Sequence, residues 1–208
     1  RGQIPAYIVW NEPNLSLEWA GLPPDPAGYV RLLQVGYEAI KGAAPEALVV
    51  AAGLAPTTER SLQAMDDLAY LSAMLEAGAD AWFDVLAVHP YGFGLPPGED
   101  PGREPLCFRR VEKVRALMEV HGVEKPFWAT EAGWRSRPDP ADPSARWVTP
   151  EEQAQYVLEA HRLAARAWPW LKRLAWWQLG GDDAYALLAQ GTEGWAGTPA
   201  LEALREHQ

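Results

Sequence analysis

The sequence predicts an α/β fold built on a parallel β-sheet. Short apolar runs with the composition of strands recur roughly every 40 residues, and a segment of helical periodicity lies between each pair. Most of these runs are apolar throughout rather than alternating, which is typical of strands covered on both faces. With 208 residues, 48% of them hydrophobic, the chain is long enough to form a single domain with a full core.

Five strands are predicted, with a helix in each interval and one after the last. The strand candidates are Tyr7–Asn11, Leu48–Ala52, Phe83–His89, Pro126–Thr130 and Leu174–Leu179. The helix candidates are Tyr29–Ile40, Leu62–Leu75, Val111–Val120, Tyr156–Ala167 and Pro199–Glu206. Two helix starts carry capping signals, since Asp25 precedes Pro26 and the run from Thr149 to Glu152 reads as a capping box.

Repeated strand–helix units form either an open doubly wound sheet or part of an eight-stranded barrel. No glycine-rich phosphate loop opens a predicted helix, which weakens the dinucleotide-binding version of the open sheet. The net charge of −10 argues against nucleic acid as a partner. No apolar run reaches the roughly 18 residues of a membrane span, so no membrane partner is expected. Cys107 is the single cysteine, so the chain has no internal disulfide and its cysteine content does not indicate a cellular compartment. We interpret Cys107 as a packing residue.

Unusual polar residues gather where the predicted strands end. The run "YIVWNEPN" places Glu12 at the end of an apolar strand, where a carboxylate is costly unless it is used. The run "ATEAGW" places Glu131 at the end of a later strand, and the run "VHPYG" places His89 and Tyr91 at the end of another. In a barrel these ends open into one mouth. Two carboxylates in one cleft do not both ionise cheaply, and one protonated and one charged carboxyl are what glycoside hydrolysis requires.

Four motifs in order carry a resemblance to a known group of enzymes. "WNEP" (10–13), "HPY" (89–91), "TEAGW" (130–134) and "WW" (176–177) resemble clan A of the glycoside hydrolases, the retaining (β/α)8 TIM-barrel glycosidases. The local texture of "VWNEPNLSLEWAG" and "YEAIKGAAPEALVVAAG" is most similar to glycoside hydrolase family 39, with family 5 next.

The resemblance implies a role for each matching residue. Glu12 would be the general acid/base and Glu131 the nucleophile. Asn11 would hydrogen-bond the sugar 2-hydroxyl, while His89 would contact the substrate or the acid/base. Tyr91 would orient Glu131. Trp177, with Trp176 as the weaker match, would form the floor of the subsite that holds the cleaved sugar.

Other residues after strands are weaker candidates. Trp134 is expected to bind substrate, and tryptophans 19, 147 and 195 either form subsite walls or pack beneath loops. Asp182 and Asp183 either reach substrate or belong to a turn. The four histidines show no ligand spacing, so neither a metal nor another cofactor is predicted.

By comparison with the clan, residues 1–208 would be the C-terminal portion of one barrel domain, holding strands four to eight. Strands one to three are expected from the same parent chain. The predicted function is a retaining glycosidase acting on β-linked plant-type oligo- or polysaccharides, with carbohydrate as its partner. Two alternatives remain: a non-catalytic carbohydrate-binding or scaffold barrel, and an open-sheet α/β protein with another ligand.

Overall fold

The computed structural model describes residues 4–181, 183–191 and 194–207. The chain divides into two compact units, of which the first comprises residues 1–89 with 111–129 and the second residues 90–110 with 130–208. Among the described residues, no helix combines the length and the apolar character that a membrane crossing requires.

Four parallel strands form the sheet of the first unit: β1 (Ala6–Val9), β2 (Leu48–Ala51), β3 (Val85–Val88) and β4 (Phe127–Ala129). They lie in chain order, with Val9 opposite Ala51, Ala51 opposite Leu86 and Leu86 opposite Phe127. The predicted α/β fold with a parallel sheet is therefore confirmed. Because the strands are parallel, their carboxyl ends lie at one edge of this sheet.

Three helices connect these strands: α1 (Pro26–Ala43), α2 (Asp67–Glu76) and α3 (Arg110–Val120). The predicted start of α1 is confirmed, since the Asp25 side chain accepts a hydrogen bond from the Gly28 N–H at 2.9 Å. Helix α2 begins five residues later than the predicted Leu62. The Asp66 side chain caps it by accepting from the Ala69 N–H at 3.0 Å, which fixes where the helix begins.

The second unit contains α4 (Pro150–Ala167), β5 (Leu171–Leu174), a hairpin of β6 (Leu188–Gly191) and β7 (Gly194–Gly197), and α5 (Pro199–Glu206). The predicted capping box of α4 is confirmed. The Glu152 N–H donates to Thr149 Oγ1 at 3.1 Å, and the Thr149 N–H donates to Glu152 Oε2 at 2.8 Å. Helix α4 packs against α5.

Two elements of the second unit differ from the sequence prediction. The fifth strand ends at Leu174, where the prediction had it begin, because the following backbone bonds elsewhere: the Trp177 N–H donates to Ala132 O at 2.9 Å. The hairpin was not predicted, although the two glycines that close it, Gly191 and Gly194, are a typical hairpin signal.

Candidate active site

The first candidate centre lies at the carboxyl end of β1, where the backbone turns sharply. Trp10 and Glu12 have positive φ angles of 75° and 41°, which non-glycine residues rarely adopt. The turn is held by the Glu12 N–H, which donates to Gly53 O at 3.0 Å, and by the Leu15 N–H, which donates to Glu12 O at 3.0 Å. Strained residues of this kind concentrate at functional sites, so the geometry singles out Glu12.

The Glu12 carboxyl group contacts the imidazole of His89, which directly follows β3. His89 Nδ1 lies 2.8 Å from Glu12 Oε1. The His89 side chain is 1% exposed and that of Glu12 is 17% exposed, so the pair is largely shielded yet open on the carboxyl side. A protonated carboxyl donates to an unprotonated Nδ1, whereas an ionised carboxylate accepts from Nδ1–H. The contact therefore accommodates Glu12 in both protonation states.

Gly53, just after β2, leaves the space that His89 occupies. A Cβ atom at this position would lie 2.3 Å from His89 Nε2, far inside van der Waals contact. Gly53 was not among the residues singled out from the sequence. Its signal was a glycine directly after a buried strand, which often marks a close approach of another group.

Asn14 fastens the segment that follows Glu12, a role that the sequence analysis missed. The side chain is fully buried. Its Nδ2 donates to Ala55 O at 2.9 Å and to Met65 O at 3.0 Å, and its Oδ1 accepts from the Ala55 N–H at 2.9 Å. Asn11, by contrast, is exposed, which leaves its amide accessible for the predicted sugar contact.

The second candidate centre lies in the second unit, two residues after the end of β4. Tyr91 Oη donates to Glu131 Oε2 at 2.7 Å. The two loops are joined by a parallel bridge between Tyr91 and Gly133, with the Gly92 N–H donating to Gly133 O at 3.0 Å. This contact brings Tyr91 and Glu131, two residues singled out from the sequence, within hydrogen-bond distance. A tyrosine hydroxyl bonded in this way fixes the position of the carboxylate oxygen that accepts from it.

Tyr185 packs against Tyr91 at this second centre and was not singled out from the sequence. Its ring meets that of Tyr91 edge-on at 5.3 Å. The Arg135 guanidinium lies 5.4 Å from the centre of the Tyr185 ring, and burial raises the pKa of the Tyr185 hydroxyl. Tyr185 is therefore neutral at physiological pH, and its ring packs against that of Tyr91. No pattern in the sequence distinguishes it from other loop tyrosines.

Trp134 is a packing residue, so the expectation that it binds substrate is wrong. Its side chain is 0% exposed. The indole Nε1–H donates to Leu95 O at 2.7 Å, and the ring packs at 5.3 Å from Phe108 and at 5.7 Å from Tyr156. A buried indole presents no face to a sugar, and position after a strand does not separate lining from core tryptophans.

The other tryptophan candidates remain accessible to different degrees. Trp177 is 40% exposed, which is compatible with the predicted sugar contact. Trp147 is 48% exposed and Trp195 is 56% exposed, while Trp19 is half-buried and meets Trp10 edge-on at 5.9 Å. Trp176 packs against Trp134 with a centroid distance of 6.2 Å, so the choice of Trp177 over Trp176 fits their surroundings.

Of three further residues considered from the sequence, one lies in a turn, one is buried and one lies outside the described part of the chain. Asp183 belongs to a turn, since its Oδ1 accepts from the Tyr185 N–H at 2.8 Å. Asp182 lies outside the described residues. Cys107 is buried, as expected for a packing residue, and burial raises the pKa of its thiol.

The sequence matches no protein-family model and no curated protein. Solved structures similar to it include a family 39 glycoside hydrolase from the gut symbiont Bacteroides cellulosilyticus WH2, with TM-score 0.61 and 22% identity over 95% of this chain. An α-L-arabinofuranosidase from Thermotoga maritima matches with TM-score 0.61 and 15% identity over 86% of this chain. A β-glucuronidase from Bifidobacterium dentium matches with TM-score 0.57 and 16% identity over 99% of this chain.

The chain spans only part of these proteins: 39% of the family 39 enzyme, 35% of the arabinofuranosidase and 30% of the glucuronidase. At these identities the similarity establishes a shared fold. The resemblance to glycoside hydrolases, with family 39 among them, is confirmed at that level: the chain has an α/β fold similar to part of several glycoside hydrolases.

Proposed function

We propose that this chain carries the active site of a retaining glycoside hydrolase, with Glu12 as general acid/base and Glu131 as nucleophile. The observation that carries the proposal is the pairing of each glutamate with a neighbour from the same short segment. His89 contacts Glu12 at 2.8 Å and Tyr91 contacts Glu131 at 2.7 Å. Only Pro90 separates His89 from Tyr91 in the sequence, and in the proposed reaction both carboxyl groups act on one glycosidic bond.

The sheet topology supports the barrel architecture. Glu12 follows β1 and Glu131 follows β4, which are parallel strands of one sheet in the first unit, and barrel enzymes place their catalytic residues at such carboxyl ends. Residues 1–208 would then be strands four to eight of one barrel domain, with strands one to three supplied by the same parent chain. The coverage of 39% of the family 39 enzyme is compatible with that extent.

In the first step of the proposed reaction, an ionised Glu131 oxygen attacks the anomeric carbon. The bond from this carbon to the leaving oxygen breaks, and Glu12 transfers its proton to that oxygen. The Tyr91 hydroxyl holds the Glu131 carboxyl group in position, and Asn11 is placed by chain position, next to Glu12, to bond the sugar 2-hydroxyl. The products are the departing alcohol and a glycosyl ester on Glu131.

In the second step, water attacks the same carbon and transfers a proton to Glu12, which now acts as a base. The ester bond breaks and Glu131 regains its negative charge. His89 contributes by keeping the Glu12 carboxyl group positioned in both protonation states. Trp177 is proposed to contact the cleaved sugar, and the substrates are β-linked plant-type oligo- or polysaccharides.

The covalent intermediate provides the direct test. The full-length protein that carries this chain would be incubated with the dinitrophenyl 2-deoxy-2-fluoro derivatives of β-xylose and β-glucose, which slow the second step and trap the ester. We expect a fluoroglycosyl group on the peptide that contains Glu131. Glu131→Gln should abolish the label, whereas Glu124→Gln, at an exposed glutamate before β4, should retain it. A label on another carboxylate would refute the assignment.

Azide rescue separates the roles of the two glutamates. Glu12→Ala should lower turnover of substrates with poor leaving groups by about 10²- to 10⁴-fold, since it removes general acid/base catalysis. Added azide should restore turnover and give a β-glycosyl azide with Glu12→Ala, but an α-glycosyl azide with Glu131→Ala. A protein that binds oligosaccharides yet shows equal background rates in wild type and both variants would instead be the non-catalytic carbohydrate-binding alternative.

A further inference from the structure

A cavity of about 390 Å³ lies between α4 and α5 in the second unit. It shares no residue with either carboxylate centre. Six of its eight lining residues form an apolar wall and a basic rim: Leu158, Trp176, Leu201 and Leu204 form the wall, and Arg162 and Arg205 form the rim. The volume is within the range of about 300–1,000 Å³ that is usual for small-molecule sites.

The apolar wall contains a tryptophan that is held in place. Trp176 Nε1–H donates to His161 Nε2 at 3.2 Å, and the two rings lie 5.5 Å apart. Because Nε2 accepts this bond, the imidazole is neutral. Partial burial favours the same neutral form, since it lowers the pKa of His161. The fixed indole offers an aromatic wall against which a planar ring can pack.

The basic rim contains an arginine available for a ligand. Arg205 is paired with Glu202 at 2.9 Å. Arg162 has no ion pair or hydrogen bond from its side chain among the described residues, although the protein as a whole has a net charge of −10. An unpaired guanidinium beside an apolar cavity favours a ligand with one carboxylate or sulfonate group and a hydrophobic body.

We propose that the cavity between α4 and α5 is a binding site for a small aromatic acid. The aromatic ring lies against Trp176 and the leucines, and the acid group binds the Arg162 guanidinium. This site is independent of the proposed hydrolase activity, because none of its residues takes part in that reaction.

Calorimetric titration with 2-naphthoate tests the proposal, with the uncharged 2-naphthamide as an isosteric control. We expect saturable one-to-one binding of the naphthoate, and binding of the amide about tenfold weaker, because it lacks the ionic bond. Arg162→Gln should weaken naphthoate binding about tenfold and leave amide binding unchanged. Arg166→Gln removes the same charge from α4 outside the cavity and should leave both affinities unchanged.

Indole N–H signals in a ¹⁵N correlation spectrum locate the ligand. The Trp176 signal, identified by its loss in Trp176→Phe, should shift with the naphthoate titration in wild type and Arg166→Gln. Absence of saturable binding, equal affinity for acid and amide, an unchanged affinity in Arg162→Gln, or a stationary Trp176 signal would each overturn the proposal. Since Arg162 is exposed on α4, its replacement is not expected to prevent folding.

Discussion

At the scale of single residues, the position of Glu12 depends on groups that carry no charge. Gly53 provides the space for His89, and Asn14 fixes the loop that begins at Glu12. Neither residue would be found by a search for acids, bases or nucleophiles. Both act through packing and backbone hydrogen bonds, so their replacement is expected to change stability and to displace the catalytic candidates together.

Gly53→Ala is expected to destabilise the protein by about 1–3 kcal/mol, because the new Cβ forces the buried His89 ring to move. Urea unfolding measures the loss, and the NMR shifts of His89 report its displacement from Glu12. Gly42→Ala is the matched control: it lies near the end of α1 with open space around its Cβ position, and there alanine should stabilise by about 0.5–1 kcal/mol. Equal effects at both positions would contradict the steric argument.

Asn14→Ala is expected to cost about 2–4 kcal/mol, because it leaves the Ala55 N–H and two carbonyl groups without their buried partner. Asn11 is the only other asparagine in the sequence and is exposed. Asn11→Ala should therefore change stability by no more than about 0.5 kcal/mol. Thermal or urea unfolding compares the two directly. A small effect at Asn14 would show that water replaces its hydrogen bonds.

At the scale of elements, the sequence was informative wherever a signal is local. The caps of α1 and α4 depend on residues within four positions of each other, and both were predicted correctly. The end of β5 depends on bonds from Trp177 to the distant Ala132, and the burial of Trp134 depends on Phe108 and Tyr156. Such long-range contacts leave no local pattern in the sequence. For this reason the predicted position of the fifth strand and the predicted role of Trp134 were both wrong.

One ion pair joins α1 to the loop before β3 and gives the stability a pH dependence. Lys41 Nζ lies 2.7 Å from Asp84 Oδ2, which also accepts from the Val49 N–H at 2.8 Å. Burial alone would raise the pKa of Asp84, but the hydrogen bonds from Lys41 and Val49 outweigh it and lower the pKa below its usual value. A lowered carboxyl pKa contributes stability above the unfolded-state pKa of about 4, and this contribution is lost as the pH falls through the folded-state value.

Asp84→Asn is accordingly expected to destabilise by about 1–3 kcal/mol at pH 7, with the difference from wild type shrinking as the pH falls below about 4. Urea unfolding at a series of pH values measures this convergence. Lys41→Met alone and combined with Asp84→Asn completes a double-mutant cycle, which should give a coupling energy of about 1 kcal/mol or more. Additive effects of the two substitutions would mean that the ion pair contributes nothing.

At the scale of the whole molecule, stability is distributed unevenly between the elements. The residues of β3 are all buried, and β2 is buried from Val49 onward with a paired strand on each side. The hairpin strand β7 is exposed along its whole length and, among the residues that the structure describes, pairs only with β6. Local opening is cheapest where few apolar contacts are lost, so the two regions should differ in the free energy of opening.

Native-state hydrogen exchange followed by mass spectrometry measures this distribution. Amides of residues 48–52 and 84–89 should exchange only through global unfolding, so their rates should rise with urea along the same slope as the unfolding equilibrium. Amides of residues 194–197 should exchange through local fraying at rates nearly independent of low urea concentrations. Gly53→Ala should raise the exchange rates of residues 48–52 and 84–89 by the factor that corresponds to its full loss of global stability. The rates of residues 194–197 should stay unchanged. Protection of the hairpin equal to that of β2 and β3 would instead mean that all elements open in one cooperative step.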